Sequence, residues 1–422
     1  MKLPRMAKVR QSFEGPVVTD IEAEVFAQLD KAGIQDKIKP GMKVAITAGS
    51  RGVANIAVII RSIASRLKAW EAEPIIVPTM GSHGGATAEG QVEVLHSFGI
   101  TEEFCGAPVV SSMDVEQIGE TPAGLPVYTD KNALSADAII LVGRIKVHTD
   151  FKSPIGIESG LMKMAAIGLG KHKQALLLHS YGVHGIRDIM PEVARVMLEK
   201  LNILCGVGIV ENAFEETAVI EAIPTANIPE REAELLRFSA SLMPKLPVED
   251  IDVLVVDEIG KNYSGTGMDT NIIGRIRILG VEEPESPSVK YIVASDLSEE
   301  SHGNSLGIGL ADLTTKRLYE KIDLQKMNEN VVTSTFLSRA MIPIVLENDK
   351  EALHAALRSN WGVAAEQAKI VRIPNTLHLE YLYVSESLLP EVMKLPHVEV
   401  IEKLADMTFD SEGYLKKSDF TH

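Results

Sequence analysis

The chain has 422 residues, 45% of them hydrophobic and 24% charged, which is the composition of a folded protein with two large domains and excludes a disordered or fibrous chain. Its 58 acidic residues against 42 basic ones leave a net charge of −16, which argues against a nucleic-acid or anionic-membrane surface, since those partners require clustered Lys and Arg. The two cysteines, Cys105 and Cys205, are too few for a disulfide framework, an iron–sulfur cluster or a four-thiolate zinc site. A metal must therefore be sought among the eleven histidines.

Residues 1–16 carry several basic side chains but no apolar run of a signal peptide. No stretch offers the roughly 18 uninterrupted apolar residues of a membrane-spanning helix, and a cytoplasmic location is expected. Residues 44–48 read as a buried strand that ends in Gly49-Ser50-Arg51-Gly52, and Ile56, Ile59, Ile60, Ile63 and Leu67 then recur at helical spacing. A second strand is expected over 74–78, a loop over 80–85 and a helix over 87–98. A compact apolar strand over 138–142 runs into a polar, loop-like segment over 143–160.

A helical stretch over 230–242 precedes Pro244 and Pro247, which mark a domain boundary. Beyond it, 253–256, 291–294 and 342–346 read as strands and 325–338 as partly helical. Alternating strands and helices predict two α/β domains, 1–245 and 246–422, with mainly parallel sheets and an active site in the cleft between them. The stretch after Val400 is expected to pack back on the first domain.

Ligands of open α/β sheets bind beyond the carboxyl ends of the strands, and three loops in those positions carry unusual chemistry. Ser50 and Arg51 stand at a helix N-terminus that attracts phosphate or carboxylate, although a plain glycine turn explains the same residues. In Gly81-Ser82-His83-Gly84-Gly85 the glycines let backbone approach a ligand and leave His83 unshielded, while Thr87 caps the next helix. In the third loop region, His148, His172, His179 and His184 fall within 37 residues. Between them Lys163 sits beside Met162, Met164, Ala165, Ala166 and Ile167, where an unpaired ammonium is costly. Covalent chemistry of the Schiff-base or amide-forming kind is one reason to keep a lysine there. The histidine spacings lack the HExxH pattern of a zinc hydrolase.

Taken together, the glycine-flanked His83, His148 after a strand, and Lys163 followed sixteen residues later by His179 resemble the lactate racemase family, whose enzymes use a nickel-pincer nucleotide. The resemblance covers about residues 44–184 and extends more loosely through Asp269-Thr270-Asn271. It implies Lys163 as the covalent tether of the cofactor, a nickel-bearing pyridinium thioamide mononucleotide, and His179 as the protein's nickel ligand. By the same resemblance His83 and His148 are the two acid/base groups, Ser50, Gly84 and Gly85 line the cofactor, and Arg51 and Arg277 bind the substrate. Racemisation or epimerisation at C2 of a 2-hydroxy acid follows as the expected activity, with loading by cofactor-biosynthesis proteins.

This chain departs from that pattern in lacking the aspartate that lactate racemases carry just before Arg51. It also has Glu158-Ser159-Gly160 in place of a double glycine before Lys163, and Arg277 where the family has lysine. These departures favour a sugar acid or another larger polar substrate over lactate. Two other readings remain open on the residues alone. One is a metal hydrolase or lyase using His148, His172, His179 and His184. The other is a non-catalytic module in which the glycine loops hold a sugar acid or nucleotide.

Overall fold

A computed structural model describes residues 2–50, 52–416 and 420. The chain divides into two compact units, one formed by Glu14–Met243 and the other by Met1–Phe13 together with Pro244–His422. Both are α/β, and most of their strand pairings are parallel.

In the first unit the strands are β1 (Lys43–Ala48), β2 (Glu73–Pro78), β3 (Ala138–Arg144), β4 (Ile203–Glu211) and β5 (Thr217–Pro224). They lie in the order β2-β1-β3-β4-β5. The first four are mutually parallel, and β5 returns antiparallel to β4. Apart from exposed Lys43 and Glu73, β1 and β2 are buried throughout, as expected of parallel strands covered on both faces. Helices α1 (Ile56–Ala69), α2 (Ala88–Ser97), α3 (Lys171–His179), α4 (Met190–Lys200) and α5 (Ile228–Leu242) provide that cover. On one face Ile59, Ile60, Ile63 and Leu67 of α1 pack with Ile46, Ile76 and Ile140. On the other Leu161, Ala165, Leu169 and Val193 pack with Ala45, Val77 and Leu141. A hairpin that hydrophobic patterning does not reveal, Val115–Glu120 with Pro126–Asp130, contributes Val127 to that second core.

Beyond β3, residues 145–160 form a loop, as expected. From Leu161 to Lys200 the chain is helical almost throughout, with two wide i→i+5 stretches at Met164–Leu169 and Gly185–Ile189. Such wide turns are uncommon and concentrate at functional sites.

The second unit holds an eight-stranded sheet. Five parallel strands, Ile344–Leu346, Leu313–Thr315, Ser288–Ala294, Asp250–Val256 and Ile370–Ile373, are continued by antiparallel Tyr381–Ser385, Met6–Gln11 and Val398–Ala405. The N-terminal residues therefore belong with the C-terminal half, contrary to a first domain of 1–245. Residues 400–405, expected to pack back on the first domain, belong to a strand of this sheet. Strand 6–11 is buried on both faces except at Arg10, and its partners lie more than 370 residues away in sequence. Its three basic or amide positions, Lys8, Arg10 and Gln11, hide it from hydrophobic patterning. Lys8 is buried against Glu402 at 3.4 Å, and Gln11 donates to the carbonyls of Lys245 and Leu379.

Because Val9 is fully buried between two strands, Val9→Asp places a carboxylate there without a partner. The substitution is expected to lower the unfolding free energy by more than about 3 kcal/mol, as read from denaturant unfolding.

Candidate active site

Parallel register brings the carboxyl ends of three adjacent strands together. Ala48 pairs with Pro78 across β1 and β2, and β3 lies on the other side of β1. The loops that leave these ends carry Ser50, His83 and His148. Ser50 Oγ and His83 Nδ1 share a hydrogen bond of 2.6 Å, so a hydroxyl on one loop fixes the imidazole of the next. His83 itself is exposed, between backbone turns of positive φ at Gly81, Gly84 and Gly85. Arg51 lies outside the described residues.

His148 is held on three sides. Its ring stacks on Phe151 with centroids 4.6 Å apart, the Asp150 amide donates to Nδ1 at 3.1 Å, and Nε2 shares a 2.9 Å hydrogen bond with Lys163 Nζ. The backbone beneath it is pinned by Glu158, a buried carboxylate that accepts from the His148 and Ser153 amides at 2.7 and 2.9 Å. Lys163 is only partly buried, and His179 at the end of α3 is partly buried as well. Burial lowers the His179 pKa below its usual 6.5, and the nearby Lys163 charge lowers it further. The surroundings thus favour the neutral ring, the form whose lone pair can bind a metal.

The turn of helix that bears Lys163 starts inside the core, and its N-terminus is capped from another element. Glu232 of α5 is fully buried, and its Oε2 accepts the Met162 amide at 2.9 Å. A Cβ at position 160 would stand 2.8 Å from that carboxyl carbon, so Gly160 is required by the approach. Burial pushes the Glu232 carboxyl up to about 7, against the pull of the Met162 and Leu161 amides.

Sequence reasoning passed over Glu232 and read Glu158 only as a departure from a family pattern. It also placed the costly buried lysine at 163. The fully buried lysine of this region is Lys171. Arg277, in the second unit, donates to the carbonyls of Gly309 and Ala311 and to Asp312 at 2.6, 3.1 and 2.6 Å. Its guanidinium therefore ties a loop together and does not stand open as a fork for a substrate carboxylate. Asp269 caps a short helix by accepting the Asn271 amide.

Among the described residues no three His, Cys, Asp or Glu side chains converge to hold a metal ion. The set His148, His172, His179 and His184 does not gather. His184 is instead bonded to Asp188 at 2.7 Å. A single neutral histidine near a half-buried amine suits a metal that arrives with most of its donors already attached, and the residues present fit a tethered metal cofactor in that sense.

Glu232 supplies a test of the buried cap. Its folded pKa is raised from 4.5 to about 7, so its contribution to stability is fully present below pH 4.5 and is lost as pH rises through 7. The non-titrating Glu232→Gln protein should gain on the wild type by about 3 kcal/mol between pH 4.5 and 8, measured by urea unfolding at a series of pH values.

Comparisons with known proteins bear on the first half of the chain and on the fold. Residues 5–184 match the family model of the lactate racemase N-terminal domain, a span that includes Ser50, His83, His148, Lys163 and His179. Among solved structures, the lactate racemase apoprotein from Thermoanaerobacterium thermosaccharolyticum aligns over 87% of this chain and 94% of its own, with a TM-score of 0.50 and 14% identity. At that identity the likeness is one of fold. No curated protein matches the sequence. Residues 5–184 thus carry the signature of a lactate racemase N-terminal domain, and the chain resembles the lactate racemase family.

Proposed function

We propose that the protein is a racemase or epimerase that inverts the C2 carbinol of a 2-hydroxy acid with a nickel-pincer nucleotide attached at Lys163. The observation that carries the reading is the meeting of Lys163 and His148 at 2.9 Å, with His179 held neutral close to the same amine. Lys163 would hold the cofactor covalently, His179 would ligate its nickel, and Ser50, Gly84 and Gly85 would line it. When bound, this group supplies reversible acceptance of hydride from the substrate's C2.

Removing the α-proton of a hydroxy acid is difficult because the adjacent carboxylate destabilises the carbanion. Hydride removal avoids that species and leaves a 2-keto acid whose two faces are both open to hydride return. The protein's task is then to move the hydroxyl proton, and two imidazoles serve two configurations. With Nδ1–H donated to Ser50 Oγ, His83 presents the Nε2 lone pair to the substrate hydroxyl. His148 turns its Nε2 edge to Lys163 and hence to the reacting centre, while Phe151 and the Asp150 amide keep the ring from rotating. Arg51 is the candidate for the substrate carboxylate, since the fork of Arg277 is already engaged. A larger polar acid is preferred over lactate, because Ser50 stands where lactate racemases have an aspartate and Glu158-Ser159-Gly160 replaces their double glycine.

Mass spectrometry of the Lys163 peptide and metal analysis, on protein made in cells able to synthesise the cofactor, should find a modified lysine and nickel. An unmodified lysine without nickel in folded protein overturns the reading. The Lys163→Ala protein should lose cofactor and activity together, whereas a histidine-ligated hydrolase would keep its metal.

A panel of 2-hydroxy acids deuterated at C2 tests the chemistry itself. The label should be retained in the inverted product, and its loss to solvent would point to α-proton abstraction. His83→Asn and His148→Asn should each lower kcat/KM by roughly 10²- to 10⁴-fold with the Lys163 modification intact.

A further inference from the structure

Lys171 is the first residue of α3 and is fully buried, in a chain region where glycine surrounds it as Gly168-Leu169-Gly170-Lys171. Its backbone has φ +55, a left-handed conformation that a lysine holds only when its surroundings over-determine it. The side chain meets three acceptors. Nζ donates to the Pro78 carbonyl at 2.5 Å and to Gln91 Oε1 at 2.8 Å, and it faces Asp130 Oδ2 at 3.3 Å. Asp130 is itself fully buried and caps the next short helix by accepting the Ala133 amide at 2.9 Å.

The second partner leads to the site. Gln91 on α2 is fully buried, and its Nε2 donates to the carbonyls of Gly81 and His83 at 3.0 and 3.2 Å. Its own position against the loop is close: a Cβ on Gly84 would come within 2.7 Å of the Gln91 amide. An unbroken chain of hydrogen bonds thus runs from Lys171 through Gln91 to the backbone of His83, whose ring is bonded to Ser50. A short helix joins Lys171 to His179 at its other end. One amine accordingly fixes the loop of a proposed acid/base group and the start of the helix that presents the proposed nickel ligand.

Burial lowers the amine's pKa and raises that of Asp130, while their attraction opposes both. The linkage does not depend on the outcome, because a neutral amine still has two N–H groups for Pro78 and Gln91.

We propose that Lys171 and Gln91 are positioning residues that hold His83 in register with His179. The proposal rests on the functional reading of those two histidines, and its test separates the two. Gln91→Leu removes the relay and leaves the Lys171–Asp130 pair. The double variant Lys171→Met with Asp130→Leu removes the pair without stranding a buried charge. Hydrogen exchange of residues 80–87 in the apoprotein is the first measurement, with melting curves to confirm folding. The second is kcat and KM of protein whose Lys163 modification has been verified by mass.

In Gln91→Leu, exchange in 80–87 should quicken at least roughly tenfold. The kcat should fall roughly 10- to 100-fold with KM and cofactor content little changed, as a displaced acid/base group requires. The double variant should repeat both effects if it folds, and Gln91→Leu decides if it does not. Unaltered exchange in folded Gln91→Leu overturns the inference whatever the activity. Quickened exchange with kcat unchanged in loaded enzyme also overturns it, since the loop would then be held for stability alone. Quickened exchange in Gln91→Leu, together with a wild-type protein that neither carries the cofactor nor inverts any hydroxy acid, overturns the proposed function and leaves the loop linkage standing.

Discussion

A helix that begins inside a hydrophobic core must find partners for its first N–H groups there, and the placement of Lys163 depends on how this chain meets that requirement. Leu161 and Met162 are fully buried, so water cannot satisfy their amides, and each orphaned group would cost about 1–3 kcal/mol. The Glu232 carboxyl, brought from α5, accepts the Met162 amide and lies against Gly160. Its own burial raises its pKa to about 7, a penalty borne for a fixed helix start. With the helix start set, the Lys163 amine arrives at His148 with little freedom left. Glu158 does the same for the other partner by holding the His148 amide. Two buried carboxylates thus set the two sides of one hydrogen bond.

Much of the first unit was legible because parallel strands covered on both faces are continuous apolar runs, and β1, β2 and β3 read that way. The loops at their carboxyl ends were legible with them, and they carry Ser50, His83 and His148. The meeting of Ser50 with His83 was not legible. It follows from β1 and β2 being neighbours in register, which local patterning does not encode. Lys163 and His179 were singled out by spacing and resemblance, whereas the groups that steady them, Glu232, Gln91 and Asp130, are distant in sequence and ordinary in local context.

The failures share a cause. Strand 6–11 carries Lys8, Arg10 and Gln11, and its pairing partners come from the opposite end of the chain, so neither composition nor periodicity reveals it. Arg277 looked like a free fork until its acceptors, the Gly309 and Ala311 carbonyls and Asp312, came from residues more than thirty positions away. Lys171 does not stand out among the glycines that precede it. Only the fold brings Pro78, Gln91 and Asp130 around its amine. In each case the missing information was a long-range partner for a polar group, and polar groups are understood by where their hydrogen bonds go.

The sixteen-residue interval between Lys163 and His179 shows why such spacing cannot be read as helix periodicity. On one straight α-helix it would amount to about 160° of rotation and about 24 Å of rise, which turns the two side chains to nearly opposite faces and separates them by the width of a small core. Yet the Lys163 charge is near enough to lower the His179 pKa. The helix is not straight between them. It widens to i→i+5 bonding over Met164–Leu169, closes at Gly170, where a Cβ would stand 2.4 Å from the Ala166 carbonyl, and turns through the positive φ of Lys171. Gly170 admits the close approach and the three acceptors around Lys171 hold the strained turn. That redirection bends the path between Lys163 and His179, and the residue that carries it, Lys171, the one non-glycine residue of positive φ in the segment, is also its most deeply buried cation.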